Sequence, residues 1–399
     1  EARAWQRLFA EAAAVLDGSG GPGPGRIDAA LIRSVVPYGR TAATPPAPSA
    51  VQVSASSGDS YGGMVISRPS RALALAETLV HEFQHSKLAA LLHLFPLLDD
   101  DREERYYAPW RADPRHLTGL LHGAYAFTGV AGFWRDRLAQ ARDEPGTGTR
   151  GAWHTGGHAD GAGHADGAGH ADGAGHGDRA AHDDRWTGDQ ASPSERWTGE
   201  PPDGWAGAGA DRDADTRGDL AADVAAYHFA LRRLQSRLVV RTLLTSGRLT
   251  AQGRALVSGL AATLDGWLRE PVPPAALARA RTAALLHRTE WRLRNIAAPP
   301  SPTAPTPDPP RFRTDRAFWP DLRTHAFASA PTAPRTPDEH LAAGDPATAL
   351  AGYADLLADH PTEPHALAGW IVARATLDPG RASRRMLARP EQTQPQPSG

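Results

Sequence analysis

Apolar positions recur at helical spacing from the first residues of the chain. Trp5, Leu8, Phe9, Ala12 and Leu16 fall on one face before "GSGGPGPG" ends the run with Gly and Pro. The next stretch, "RIDAALIRSVVPYG", fits a helix or a short strand. After a Pro-rich loop the period changes, and "AVQVSAS" and "YGGMVISRP" alternate as two strands joined by a turn around Gly58 and Asp59. From Ser70 to Phe95 the helical period returns, with Ser70 as the expected cap and Pro96 as the stop. A polar turn, "LDDDREERYYAPWRADPR", leads into "HLTGLLHGAYAFTGVAGFWRDRLAQAR", which is apolar nearly all round and therefore expected to be a buried helix.

The pattern then fails. Residues 157 to 184 repeat in sixes with histidines at 158, 164, 170, 176 and 182, and their Gly and Asp content offers no apolar face to bury. Residues 148 to 214 are expected to be a disordered insertion, and a tolerated linker is a better reading of the His repeat than a loose metal-binding tract, because ordering floppy ligands costs entropy. Helical spacing resumes over 215 to 297 in three segments separated by Gly and Pro, which should pack antiparallel on the first half. A Pro-rich linker is expected over 298 to 335, a tetratricopeptide-like helical hairpin over 336 to 378, and a disordered tail over 379 to 399. One hairpin cannot bury its own apolar face, so it must dock on the body or on a partner.

Composition narrows the chemistry. The chain has 399 residues, a formal net charge of −2 and no cysteine. The balanced charge gives no electrostatic reason to expect nucleic acid or an anionic membrane as partner, and a metal would have to sit on His, Asp or Glu. No apolar run approaches the roughly 20 residues that span a bilayer, and a cytoplasmic location is the default expectation. Lys87 is the only lysine among many arginines, a coding bias to which no role is attached. The chain starts at Glu1 inside a helical pattern, as expected for a piece of a longer polypeptide.

Within the Ser70–Phe95 helix lies "HEFQH". Residues four apart on a helix are rotated by only about 40 degrees, so His81 and His85 project side by side and can take neighbouring positions on one cation. Glu82 follows His81 and is turned by about 60 degrees from His85, which puts its carboxylate beside an open coordination position as general base or ligand-orienting group. Lys87 points away from that face. A chance match on an ordinary partly buried helix is the bland alternative; apolar flanks and a preceding strand favour a metal, since this is the setting of the motif in zincin-type metallopeptidases.

Two histidines do not complete a catalytic site, which needs three protein ligands and an open position. Leu91 stands where the extended zincin motif has its third ligand. His93 is about 12 Å further along the axis, too far to share the ion. The acidic run Asp99, Asp100, Asp101, Glu103 and Glu104 reads as a solvated turn. His122 is favoured over Glu104 and His116 because it sits in an apolar segment where an unpaired imidazole is costly, and Gly119 and Gly123 would let another helix approach.

Taken in order and spacing, "ETLVHEFQHSKLAALL", "YYAPWRADPR" and "GLLHGAYAFTGVAGFW" resemble the HExxH-containing peptide-modification proteins of ribosomal peptide natural-product clusters, iron- and 2-oxoglutarate-dependent peptide β-hydroxylases. The resemblance is strong over residues 50 to 140 and looser over the first helix and the helices after 215. It implies that His81, His85 and His122 hold Fe(II), that 2-oxoglutarate is the cosubstrate, and that a side-chain β-carbon of a precursor peptide is hydroxylated. In some members this domain is fused behind a radical SAM enzyme, so such an enzyme is a possible fused or associated partner. The distal carboxylate of 2-oxoglutarate needs a cation, and the connecting segment offers Arg105, Arg111 and Arg115, with Arg111 preferred. Tyr106, Tyr107 and Trp110 would wall the pocket.

The expected architecture is therefore α+β and mostly helical: a zincin-like metal-binding core over 1 to 147 with a short antiparallel sheet, completed by the helices of 215 to 297, and a C-terminal helical hairpin. The alternative is a zinc metallopeptidase that cleaves a leader or precursor peptide with Glu82 as general base. Either could hold an extended peptide against an exposed edge such as the "YGGMVISR" strand. A helical binding module with a fortuitous "HExxH" is the third, non-enzymatic reading.

Overall fold

The computed structural model describes residues 2–18, 23–38, 54–56, 58, 60–100, 102–143, 213–297, 311–313 and 324–393. The His-repeat segment and most of the Pro-rich stretch lie outside these residues. The chain is mostly helical, with one small mixed sheet. Helix α1 (Ala2–Asp17) buries Ala12 and Leu16 on the core, as its spacing predicts. A 3-10 turn at Ala29–Leu31 then opens into strand β1 (Ser34–Tyr38), so "RIDAALIRSVVPYG" contains both.

Strand β2 (Ser54–Ser56) and strand β3 (Gly63–Ser67) pair antiparallel, whereas β1 pairs with β3 in parallel. The order is β1-β3-β2. Two expectations change here. The sheet is mixed rather than purely antiparallel, and "YGGMVISR" is its central strand, hydrogen-bonded on both sides, so no peptide can add to it. The alternation of β3 still holds: Met64 and Ile66 are buried in the core, and Tyr61 just before the strand sets its ring edge-on to Phe83.

Helix α2 (Ala72–Leu94) runs over this sheet, with Leu75, Leu79, Val80, Phe83 and Leu88 fully buried. Its N-cap is Arg71, which makes no side-chain cap bond, so Ser70 does not have the capping role expected of it; Phe95 ends the helix just before Pro96. Helix α3 (Leu117–Asp143) is buried over most of its length, in keeping with its apolar circumference. Its first turn is capped by Asp100, whose carboxylate accepts from the backbone of Thr118 and lies 2.7 Å from His116 Nδ1. Burial would raise the Asp100 carboxyl, but hydrogen bonds from Thr118, His116 and Arg102 outweigh it and hold it down at about 2. Within the acidic run, Asp100 is thus a buried cap rather than a solvated side chain, because three unsatisfied donors meet it there.

Helices α4 (Asp213–Thr245), α5 (Ala251–Arg269) and α6 (Pro274–Asn295) complete the core, with α4 packed against α3, α5 and α6. Asp213 and Ala214, expected within the insertion, already belong to α4. No described helix is long and apolar enough to cross a membrane.

The C-terminal part is more ordered than its composition suggests. Phe327 and Ala328, in the expected linker, are buried, and Arg279 donates to the Phe327 carbonyl at 3.1 Å. Helices α7 (Pro337–Ala342), α8 (Pro346–Asp359) and α9 (Pro364–Leu377) form the hairpin, opened by a capping box of Thr336 and Glu339. The expected tail continues as helix α10 (Arg381–Ala388) and a 3-10 turn to Thr393, tied down by Arg292 gripping the buried Glu391 carboxylate at 2.7 and 3.0 Å. The polar composition of that tail hid a partner carboxylate for α6.

The hairpin docks on α6 through buried charge. His365 of α9 bonds Glu290 of α6 at 2.8 Å and Asp338 of α7 at 3.0 Å, and the Tyr353 hydroxyl donates to the same Asp338. Burial alone would lower His365, but hydrogen bonds and attraction from the two carboxylates raise it to about 9. A raised pKa means that this stabilisation is complete below the unfolded value near 6.5 and is lost as pH rises through about 9. His365→Ala should therefore cost about 3 kcal/mol at neutral pH. Thermal unfolding should show wild-type stability falling between pH 7 and 10 with a component that the variant lacks; parallel curves for both proteins would contradict this.

Candidate functional site

The two histidines of α2 do lie together. His81 Nε2 stands 3.0 Å from His85 Nε2, and the rings meet edge-on with centroids 4.6 Å apart. Two imidazole nitrogens bound to one ion at about 2.1 Å are separated by roughly 3.0 to 3.4 Å, so this pair suits neighbouring ligands of a single cation. Both imidazoles are held neutral. Burial, with the charges of His85 and Arg232, drives His81 well below its usual range, and burial together with Arg115 lowers His85 to about 4. A neutral ring keeps the lone pair that a metal requires.

His122 of α3 joins the same group. Its ring stacks on His85 at 5.5 Å, with the two Nδ1 atoms 3.3 Å apart. His85 thus turns one nitrogen to each neighbour, Nε2 to His81 and Nδ1 to His122. The three form a continuous row, and among the described residues no three His, Cys, Asp or Glu side chains converge on one point. His116 is engaged with Asp100, and His93 and Glu104 are exposed. Glu82 is 3 % exposed. Lys87 lies over the Phe83 ring, away from the row.

The three arginines of the connecting segment separate. Arg111 is paired with Asp113 at 2.8 and 3.2 Å, and Arg105 with Glu103. Arg115, mostly buried, lies 3.8 Å from Asp113 and is the one of the three whose charge acts on His85. Of the expected aromatic wall, Trp110 stacks on Phe127 at 4.6 Å, and Tyr107 bonds His287 Nδ1 at 2.7 Å.

Phe127 is the hub of this arrangement. Its ring takes His81 edge-on at 4.8 Å, Trp110 on its face, and the guanidinium of Arg232 at 4.8 Å. Arg232 comes from α4 and Glu77 from α2, one turn before His81. Burial raises the Glu77 carboxyl to about 7, against the lowering influence of Arg232 and Trp134. The motif-based reading did not single out Arg232, Glu77 or His287. The available signal was an ionisable side chain inside an apolar helical run, as in "FALRRLQ"; its partners, however, are set by packing across more than a hundred residues.

The segment between the two motif helices is pinned by backbone contacts. Gln235 of α4 donates to the Pro109 carbonyl at 2.9 Å, Asn295 of α6 to the Ala112 carbonyl at 2.8 Å, and Tyr106 pairs with Arg115 in a two-residue bridge. Trp110 is seated because Gly123 lacks a Cβ: one added there would lie 2.2 Å from Trp110 Cζ2. Gly119 and Gly123 thus admit side chains of this segment (Arg115 and Trp110) where the sequence suggested a helix, and the helix approach occurs instead at Gly129, against Gln84 of α2.

Gly123→Ala should push Trp110 off Phe127 and destabilise the protein by about 1–3 kcal/mol, read as a lower melting temperature with a shifted tryptophan emission. An unchanged melt and spectrum would show that the indole has room to spare. In comparisons with known proteins, no family model matches this chain and no curated protein matches it.

Proposed function

We propose that the chain is an Fe(II)- and 2-oxoglutarate-dependent oxygenase that hydroxylates a side-chain β-carbon of a ribosomally synthesised precursor peptide. The observation that carries this reading is the neutral His81–His85 pair, 3.0 Å apart, with the guanidinium groups of Arg115 and Arg232 close enough to shift its protonation. A chelating dicarboxylate needs fixed cations near its metal, whereas a hydrolytic zinc centre needs only ligands, a water and a base. Iron, when bound, supplies oxygen activation coupled to oxidation of the oxo acid.

The chain's own residues would hold and shield that group. His81 and His85 supply two imidazole donors, and His122, set against the other nitrogen of His85, fixes the tilt of that ring. Phe127 and Trp110 keep water from the face of the pair, and Glu82 orients what lies at the open side. The peptidase alternative draws on the same Glu82, which is buried beside His81 as a general base would be.

Anaerobic loading with Fe(II), 2-oxoglutarate and a precursor peptide, followed by air, should give a product heavier by about 16 Da, one oxygen atom. His81→Ala and His85→Ala should each lower its yield by more than about a hundredfold. Two peptide fragments formed without oxygen would replace this reading with the peptidase; an intact, unmodified peptide in every arm would sink both.

A further inference from the structure

Arg232 differs from the other core-facing arginines described. Arg279 meets Asp223 at 2.6 Å, Arg292 meets Glu391 at 2.7 Å, Arg294 meets Glu290 at 2.8 Å, and Arg233 donates to the backbone carbonyls of Trp267 and Glu270. Arg232 instead donates to a single neutral acceptor, the amide oxygen of Gln235 at 3.1 Å, and its buried Nε, like that of Arg233, has no hydrogen-bond partner. Glu77 acts on it only through space and is itself pushed toward the neutral acid, with one oxygen buried and unbonded. A guanidinium carries five donors and stays charged, so keeping it inside a protein with one neutral acceptor is costly unless an anion completes it.

There is also room for an approach. Arg232 and His85 each keep accessible surface. Trp110 and His122 also keep accessible surface, and Phe127 lies between Arg232 and His81, each 4.8 Å from its centroid.

We propose that this group of side chains binds a short aliphatic dicarboxylic acid, one carboxylate held bidentately by Arg232 over the Phe127 face and the other end directed at the His81–His85 pair. The assignment moves the anchoring cation from the segment carrying Arg105, Arg111 and Arg115 to helix α4. It rests on the proposed oxygenase only in equating this acid with 2-oxoglutarate; the binding itself needs neither iron nor turnover.

The test uses the full chain with metal removed by chelation. Calorimetric titration with 2-oxoglutarate, glutarate and butyrate should show the two diacids binding and butyrate at least tenfold weaker. Arg232→Gln should weaken 2-oxoglutarate at least tenfold and Arg232→Lys less, while Arg111→Gln leaves it unchanged. In the unaltered protein, 2-oxoglutarate should slow phenylglyoxal modification of Arg232, read by peptide mass spectrometry, which keeps the test decisive should the variants not fold. Unprotected Arg232, or wild-type affinity in a folded Arg232→Gln protein, overturns the assignment. Diacid binding through Arg232 without peptide hydroxylation would sink the oxygenase alone, and hydroxylation that survives Arg232→Gln would sink the anchor alone.

Discussion

The close packing of α3 on α2 and on the segment between them is the constraint on which the site depends. It is possible because two positions of α3 have no Cβ: Gly129 takes Gln84 of α2, and Gly123 takes the indole of Trp110. That approach sets His122 beside His85 and lays Phe127 against His81. Interiors are packed at crystal-like density, so a methyl group at either glycine could be absorbed only by moving a neighbour that belongs to the site.

Electrostatics follow from that packing. Once α2 is buried, the imidazoles of His81 and His85 lose their solvation and with it their protons, and nearby guanidinium groups push the same way. The His81–His85 pair is therefore a set of neutral donors rather than two repelling charges. Arg232 and Glu77 sit in the same low-dielectric surroundings with opposite consequences: the guanidinium remains charged, and the carboxyl rises to about 7. A buried charge with so little local compensation is unusual for stability, and its retention makes sense if a ligand supplies the missing partner.

The C-terminal helices obey a different logic. They meet α6 through His365, Glu290, Asp338, Arg292, Arg294 and Glu391, a network in which the buried groups have partners of opposite charge. Such networks contribute less net stability than an apolar interface of equal size, but they are strict about register. The hairpin is accordingly held in one place on the core, on the same α6 whose other residues, His287 and Asn295, hold the segment that carries Trp110.

Local rules were sufficient for much of this molecule. The spacing of Trp5, Leu8 and Phe9, the alternation around Met64 and Ile66, and the four-residue interval of His81 and His85 each depend on near neighbours in the chain, because helix and strand periods decide which side chains share a face. What near neighbours do not encode is who arrives from elsewhere. The parallel partner of β3, the capping of α3 by Asp100, the burial of Phe327, the ordering of α10 by Glu391 and the placement of Arg232 on Phe127 all join distant positions. Composition even argued against three of these, since a polar tail, a Pro-rich stretch and an acidic run look solvated until a partner is brought to them. The sequence by itself determined the helical frame and a pair of imidazoles fit for one ion. Only the tertiary structure decided their surroundings, because desolvation and charge pairing belong to the packed whole and not to any stretch of chain.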